Sequence, residues 1–214
     1  MRRPRLSARR LLLIGVFVII LAALVYVASQ PSDIQPATKP TVTFDFDTGY
    51  PPLVETQTTP LNQTSNGITA YFSSPSDTSV APAFSVQSYD TTFTKLSQFS
   101  GKYLYDNNPT RDILDIKFST EIIAIKVTFA TVELQDGAVT EPSDILLTAY
   151  ENTNLIGTTT AYGSFSSDSY PQGTLSLNPG QLFNWVRIAI PAETPTTDFL
   201  IDNITVTAIS TSTT

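Results

Sequence analysis

Residues Phe199-Leu200-Ile201-Asp202-Asn203-Ile204-Thr205-Val206 read as a β-strand with a fault in it. A strand turns alternate side chains to opposite faces. Phe199 and Ile201 share one parity, while Ile204 and Val206 share the other. The apolar face therefore changes parity across Asp202 and Asn203. A β-bulge does this by inserting one extra residue, which kinks the strand and re-aims the side chain there. The pattern puts a carboxylate at the bend of an otherwise apolar strand. Such a carboxylate serves either a bound cation or a local turn cap.

The same alternation recurs upstream. Val42, Phe44 and Phe46 alternate with Thr and Asp, which gives Asp45 and Asp47 the outward parity of a first strand. Ile68–Phe72 follows an Asn66-Gly67 turn signal. Leu114, Ile116 and Phe118 mark one strand, and Ile123, Ile125, Val127 and Phe129 a separate one. Ala83–Tyr89, Lys102–Tyr105, Asp144–Tyr150, Leu155–Tyr162, Gly173–Leu177 and Asn184–Ile190 complete the set. Thr, Val, Ile, Phe and Tyr dominate these runs, as strands prefer. After Ala28 no long segment carries a helical period. Many short strands separated by turns predict one all-β domain over residues 41–209, a jelly-roll β-sandwich. Residues 210–214 form a polar tail expected to fray.

The N-terminus has a different character. Arg2, Arg3, Arg5, Arg9 and Arg10 precede an uncharged run from Leu11 to Ala28. Eighteen helical residues span about 27 Å, against a bilayer core of about 30 Å. Residues 1–10 thus read as a basic cytoplasmic segment and 11–29 as a transmembrane signal anchor, N-terminus inside. The domain beyond is then extracellular. The alternative is a signal peptide cleaved after Val27-Ala28-Ser29, which would release a secreted protein. Gln30–Pro40 is a Pro-bearing linker of extended character.

Setting residues 1–29 aside leaves seven basic against nineteen acidic residues, a net charge of −12. That balance excludes nucleic acid as a partner, since its binding rests on Lys and Arg neutralising phosphates. The chain has no Cys, so no disulfide staples it. It has no His, the commonest general base and transition-metal ligand. No G-x-S-x-G elbow or phosphate-cradling Gly loop occurs. Nineteen acids make some carboxylate pair inevitable, so a glycosidase reading has no specificity. The expectation is a non-catalytic protein.

VTFDFDTGYPP, SNGITAYF, FSGKYLYDN, SDILLTAYENTNLIGTT and DFLIDNITV occur in this order across residues 42–206. In order and spacing they resemble the jelly-roll modules of exported bacterial proteins, the group that includes carbohydrate-binding modules and galactose-binding-like domains. The resemblance implies that the first and last strands meet. It also implies a structural Ca²⁺ there, held by Asp202, by Asp45 or Asp47, and by backbone around Gly101 and Lys102. Three carboxylates at one edge would repel unless a cation neutralised them. The alternative is that Asp45 and Asp47 are solvated and Asp202 caps a turn.

In Asn184–Ile190, Val186, Ile188 and Ile190 alternate inward, so Trp185 and Arg187 share the opposite face. A Trp beside an Arg is suited to stacking on a sugar ring and hydrogen-bonding its hydroxyls. The alternative is Trp185 packed under a loop such as Ser164–Pro171. Tyr103 and Tyr105 likewise share a face. The faces of Tyr71, Tyr150 and Tyr162 stay unassigned. Asn62-Gln63-Thr64 and Asn203-Ile204-Thr205 match the N-glycosylation pattern, the first placed in a loop and the second within a strand. Together these readings predict a membrane-anchored surface domain that recognises a glycan. The alternative is a structural or adhesion subunit that docks a surface protein and binds no small ligand.

Overall fold

The computed structural model describes residues 40–78, 81–88, 95–108, 110–132, 142–165 and 170–209. The predicted anchor at 11–29, the basic segment before it, the linker up to residue 39 and the tail 210–214 lie outside the described residues. Among the described residues no helix is long and apolar enough to cross a membrane.

Eleven strands follow one another: β1 Thr41–Phe44, β2 Leu61–Ser65, β3 Ile68–Ser73, β4 Phe84–Ser88, β5 Lys102–Asp106, β6 Leu114–Val132, β7 Asp144–Glu151, β8 Asn154–Tyr162, β9 Gln172–Leu177, β10 Phe183–Ala189 and β11 Asp198–Ala208. Every pairing is antiparallel. The fold is all-β, and its layout fits a β-sandwich.

The centre of this layout is β6, nineteen residues long. The two strands expected at 114–118 and 123–129 are halves of this one strand. Its first half pairs with β3 on one side and β10 on the other. Its second half pairs with β9 and β11. Core-facing residues are even-numbered in the first half (Ile116, Phe118, Ile122) and odd-numbered in the second (Ile125, Val127, Phe129). Between them a register shift sets Thr207 against Ala124 and Ala208 against Ile122, so Ile123 is the extra residue. That parity change imitates a strand boundary in the sequence.

The first half continues outward as β2-β3-β6-β10-β7-β8, and the second as β9-β6-β11, with β1 and β5 both along the far side of β11. One apolar core takes side chains from both halves, among them Phe72, Ile116 and Val186 with Phe129, Phe199 and Val206. Phe44 of β1 meets Phe118 of β6 with ring centroids 6.2 Å apart. Fully burying one such aromatic contributes roughly 1.5–3 kcal/mol.

The fault in the last strand is a bulge. Asp202 pairs with Thr128 and Thr205 with Lys126, so β11 carries one residue more than β6 over that interval. Asn203 takes up the excess at φ 49°, a left-handed conformation that Asn tolerates.

Two readings need correction. The first strand stops at Phe44, so Asp45 and Asp47 do not lie along it. The Asp45 carboxylate accepts the N–H groups of Asp47 (3.1 Å) and Thr48 (2.8 Å), and Phe46 turns to φ 60°. This Asx turn leaves no extended backbone to pair. Asn62 also lies in β2 and not in a loop. The polar run Leu61–Ser65 conceals that strand because Gln63, fully buried, fills an inward position. Its side-chain amide donates to the carbonyl of Thr48.

Candidate functional site

The outer face of the first half carries a row of side chains across six strands. Trp185 of β10 pairs with Tyr150 of β7 on one side and Lys117 of β6 on the other. Tyr150 in turn faces Leu155 of β8. Lys117 faces Tyr71 of β3, and Tyr71 faces Asn62 of β2. Directly opposed side chains on one face are close enough to interact. Here the Tyr150 and Trp185 rings stack with centroids 4.5 Å apart and planes 24° from parallel. The Lys117 ammonium lies 5.7 Å from the Trp185 ring centre and the Arg187 guanidinium 5.3 Å, both within cation–π range.

Arg187 has a second commitment. It donates from Nε and Nη2 to the two carboxylate oxygens of Asp115, directly across from it on β6, at 2.8 and 2.9 Å. Those hydrogen bonds raise the guanidinium pKa further, against the smaller opposing effect of burial. The fork geometry fixes the plane of Arg187 beside the indole.

A cleft of about 290 Å³ opens alongside, lined by Lys117, Phe118, Asn152, Thr153, Asn184 and Trp185. It combines an ammonium, two amides, a hydroxyl and an aromatic edge. The Trp185 indole N–H is buried without an acceptor. Sites for polyhydroxylated ligands use this mixture of apolar surface and a few fixed polar groups. Trp185 and Arg187 do share a face as expected. Trp185 is not a bare platform, however, because Tyr150 occupies a stacking surface of its ring. Tyr71, 49 % exposed, is the more open aromatic of the row.

Tyr103 and Tyr105 lie elsewhere. They are on β5, beyond β11 and β6 from the Trp185 face. Their rings are 6.5 Å apart, and Tyr103 meets Phe99 edge-on at 5.8 Å. Both pack on a second apolar cluster of Leu96, Phe99, Ala130, Val132 and Leu200. Burial pushes the Tyr105 phenol up to about 12, with Tyr170, Tyr103, Asp198 and Asp106 adding to it. Tyr103 and Tyr105 therefore do not share the surface that carries Trp185 and Arg187.

The acids expected to hold a cation do gather. Asp202 is fully buried, and burial raises its carboxyl to about 7, with the charges of Asp47 and Asp45 pushing the same way. The N–H groups of Ser100 and Asn203 pull it down. Asp47 accepts the Lys102 N–H with both oxygens, at 3.0 and 3.1 Å, and lies 4.0 Å from the Lys102 ammonium. Gly101 makes this approach possible: at φ +62° a Cβ there would fall 1.9 Å from Asp47 Oδ2. Lys102 therefore offers Asp47 a donor. Each of the three carboxylates accepts hydrogen bonds from nearby N–H groups. Among the described residues no three acidic side chains converge in metal-holding geometry.

Sequence reasoning missed Lys117, Asn152, Thr153 and Asn184, and left Tyr150 without a face. Tyr150 was recoverable: Ile145, Leu147 and Ala149 alternate inward, which turns it outward. The others depend on which strands become neighbours.

No protein-family profile and no curated protein matches this sequence. Solved structures give remote similarities. The K1 cleaved adhesin domain of Lys-gingipain from Porphyromonas gingivalis aligns at 9 % identity and TM-score 0.43, over 80 % of this chain and 99 % of that one. A CBM35 from Paenibacillus barcinonensis aligns at 17 % identity and TM-score 0.33, over 65 % of this chain and 98 % of that one. The Agl-KA catalytic domain aligns at 12 % identity and TM-score 0.40, over 76 % of this chain but 28 % of that one.

Proposed function

We propose that this chain is a non-catalytic jelly-roll domain, tethered to a membrane by residues 11–29 and facing outward, that recognises an extracellular glycan. The observation that carries the reading is the cleft beside Trp185. There an indole N–H without an acceptor, the Lys117 ammonium and the amides of Asn152 and Asn184 surround a stacked aromatic pair. Hydroxyl groups of a sugar would supply the missing acceptor, and its C–H face would cover the exposed aromatic edges. The net charge of −12 beyond residue 29 supports a solvated domain whose cations are few and placed. The test is a glycan-array screen of the full-length chain in detergent. Trp185→Ala should weaken any glycan bound by about tenfold or more. Undiminished binding would remove this cleft as the site.

A structural Ca²⁺ at Asp45, Asp47 and Asp202 is a second part of the proposal. What supports it is the mutual repulsion of three carboxylates around buried Asp202. Chelation should then lower Tm, and Asp202→Asn should make that fall smaller. The adhesion reading draws support from a different place. Tyr50 and Val54, between β1 and β2, are 75 % and 62 % exposed, an apolar offering better suited to a protein partner than to a sugar.

A further inference from the structure

A second acidic centre lies away from both sites above. The loop leaving β5 reads Asp106-Asn107-Asn108-Pro109-Thr110-Arg111-Asp112. Oxygen-bearing side chains occupy every second position: Asp106, Asn108, Thr110 and Asp112. Alternate oxygen ligands are how a short loop wraps a calcium ion. Asp106 is 1 % exposed, Asp112 2 %, and Asp198, which opens β11, 1 %. Asp106 Oδ1 accepts the Asn108 N–H at 3.2 Å, while Oδ2 is buried with no partner. A buried polar atom left unpaired is costly and rare in native folds. Arg111, the cation within the loop, is turned away: its guanidinium donates to the carbonyls of Pro191 and Thr194 and to the Thr194 hydroxyl.

We propose that Asp106, Asn108, Asp112 and Asp198 form a divalent-cation site of the calcium class, with Asp106 Oδ2 as the oxygen that awaits the ion. All the donors are hard oxygens, two at strand ends (Asp106 of β5 and Asp198 of β11) and two in the loop between β5 and β6, a set that suits the flexible coordination of Ca²⁺ better than the strict octahedron of Mg²⁺. Zn²⁺ would favour nitrogen or sulfur ligands, and the chain has neither His nor Cys. Asp112 is now held by Asn108 Nδ2 at 2.9 Å and the Thr110 hydroxyl at 3.2 Å. Loading the ion requires the Asn108 amide to turn its oxygen inward and release Asp112. Among the described residues no three acidic side chains converge in metal-holding geometry, so the acids must also move for the ion to load. Ion binding would also tie the end of β5 to the start of β11.

The experiment titrates the full-length chain, stripped with chelator, with Ca²⁺ by calorimetry and with Tb³⁺ by tyrosine-sensitised luminescence. Asp106→Asn and Asn108→Ala should each weaken one binding step by more than about tenfold, and Asp202→Asn should leave that step intact. Asn108→Ala alters a loop residue without disturbing a buried acid, so it carries the test if Asp106→Asn fails to fold. Two results overturn the proposal. One is no saturable Ca²⁺ binding by about 10 mM, beyond the range of weak extracellular sites. The other is binding abolished by Asp202→Asn but unchanged in both loop variants.

Discussion

The two halves of β6 present the same kind of outer face to opposite fates. In the first half the outward residues are Asp115, Lys117 and Ser119, beside Arg187, Trp185 and Tyr150. Lys117 and Ser119 are exposed there, and polar groups finish the surface. In the second half Ala130 and Val132, with Leu200 beside them, are roofed by Leu96, Phe99 and Tyr170. Each face holds an aromatic pair two strands' reach from β6. One pair lines a cleft, and the other seals a small second core. Alternation along a strand sets the face on which an aromatic lies. Whether that face stays open depends on a remote segment folding across it.

The contrast is sharpest in stability. Leu200→Ala, in the roofed half, should cost about 2–5 kcal/mol in chemical denaturation, the range for emptying a filled core position. A loss below about 1 kcal/mol would mean the roof is loosely packed. Arg187→Ala, on the open face, should cost about 1–3 kcal/mol, because it strands Asp115 at 9 % exposure without its fork partner. Equal losses from the two substitutions would erase the distinction between the halves.

The roof should also be visible in a titration. The Tyr105 phenol is held near 12 in the fold, against about 10 in an unfolded chain. Its folded pKa is raised, so its contribution to stability is complete below pH 10 and is lost as pH climbs through 12. Phenolate absorbance should therefore show a late step that Tyr105→Phe removes. The smallest effect belongs to Lys117→Ala. At an exposed position with only a cation–π contact, it should change stability by about 0.5 kcal/mol or less. It should nonetheless weaken glycan binding if the cleft is the site, which separates function from fold on the open face.

The bulge at Asn203 was legible because an unbroken strand cannot bury Phe199 and Ile201 on the same face as Ile204 and Val206. Trp185 and Arg187 were placed on one face by the same logic. What local pattern could not supply was adjacency. Tyr150 stacks on Trp185 from thirty-five positions away in sequence, and only the pairing of β7 with β10 brings them together. Asp106 and Asp198 were overlooked for the same reason: each reads as an ordinary acid ending or opening a strand. Asp45 misled in the opposite direction, since an Asx turn and a continuing strand share the alternation Phe44-Asp45-Phe46-Asp47 until the backbone turns.

The length of β6 has a consequence for how the chain acquires its shape. Its partners begin at Ala70 and end at Ala208. A chain emerging N-terminus first can pair β6 with β3 early, yet must wait for β9, β10 and β11 before its other edges close. Pairing so distant in sequence makes folding slow. The waiting strand, nineteen residues with two open edges, is the segment most in need of protection from other chains. Once closed, it is flanked on both sides over residues 115–117 and 125–130, so the backbone amides there should be among the last in the molecule to exchange with deuterium.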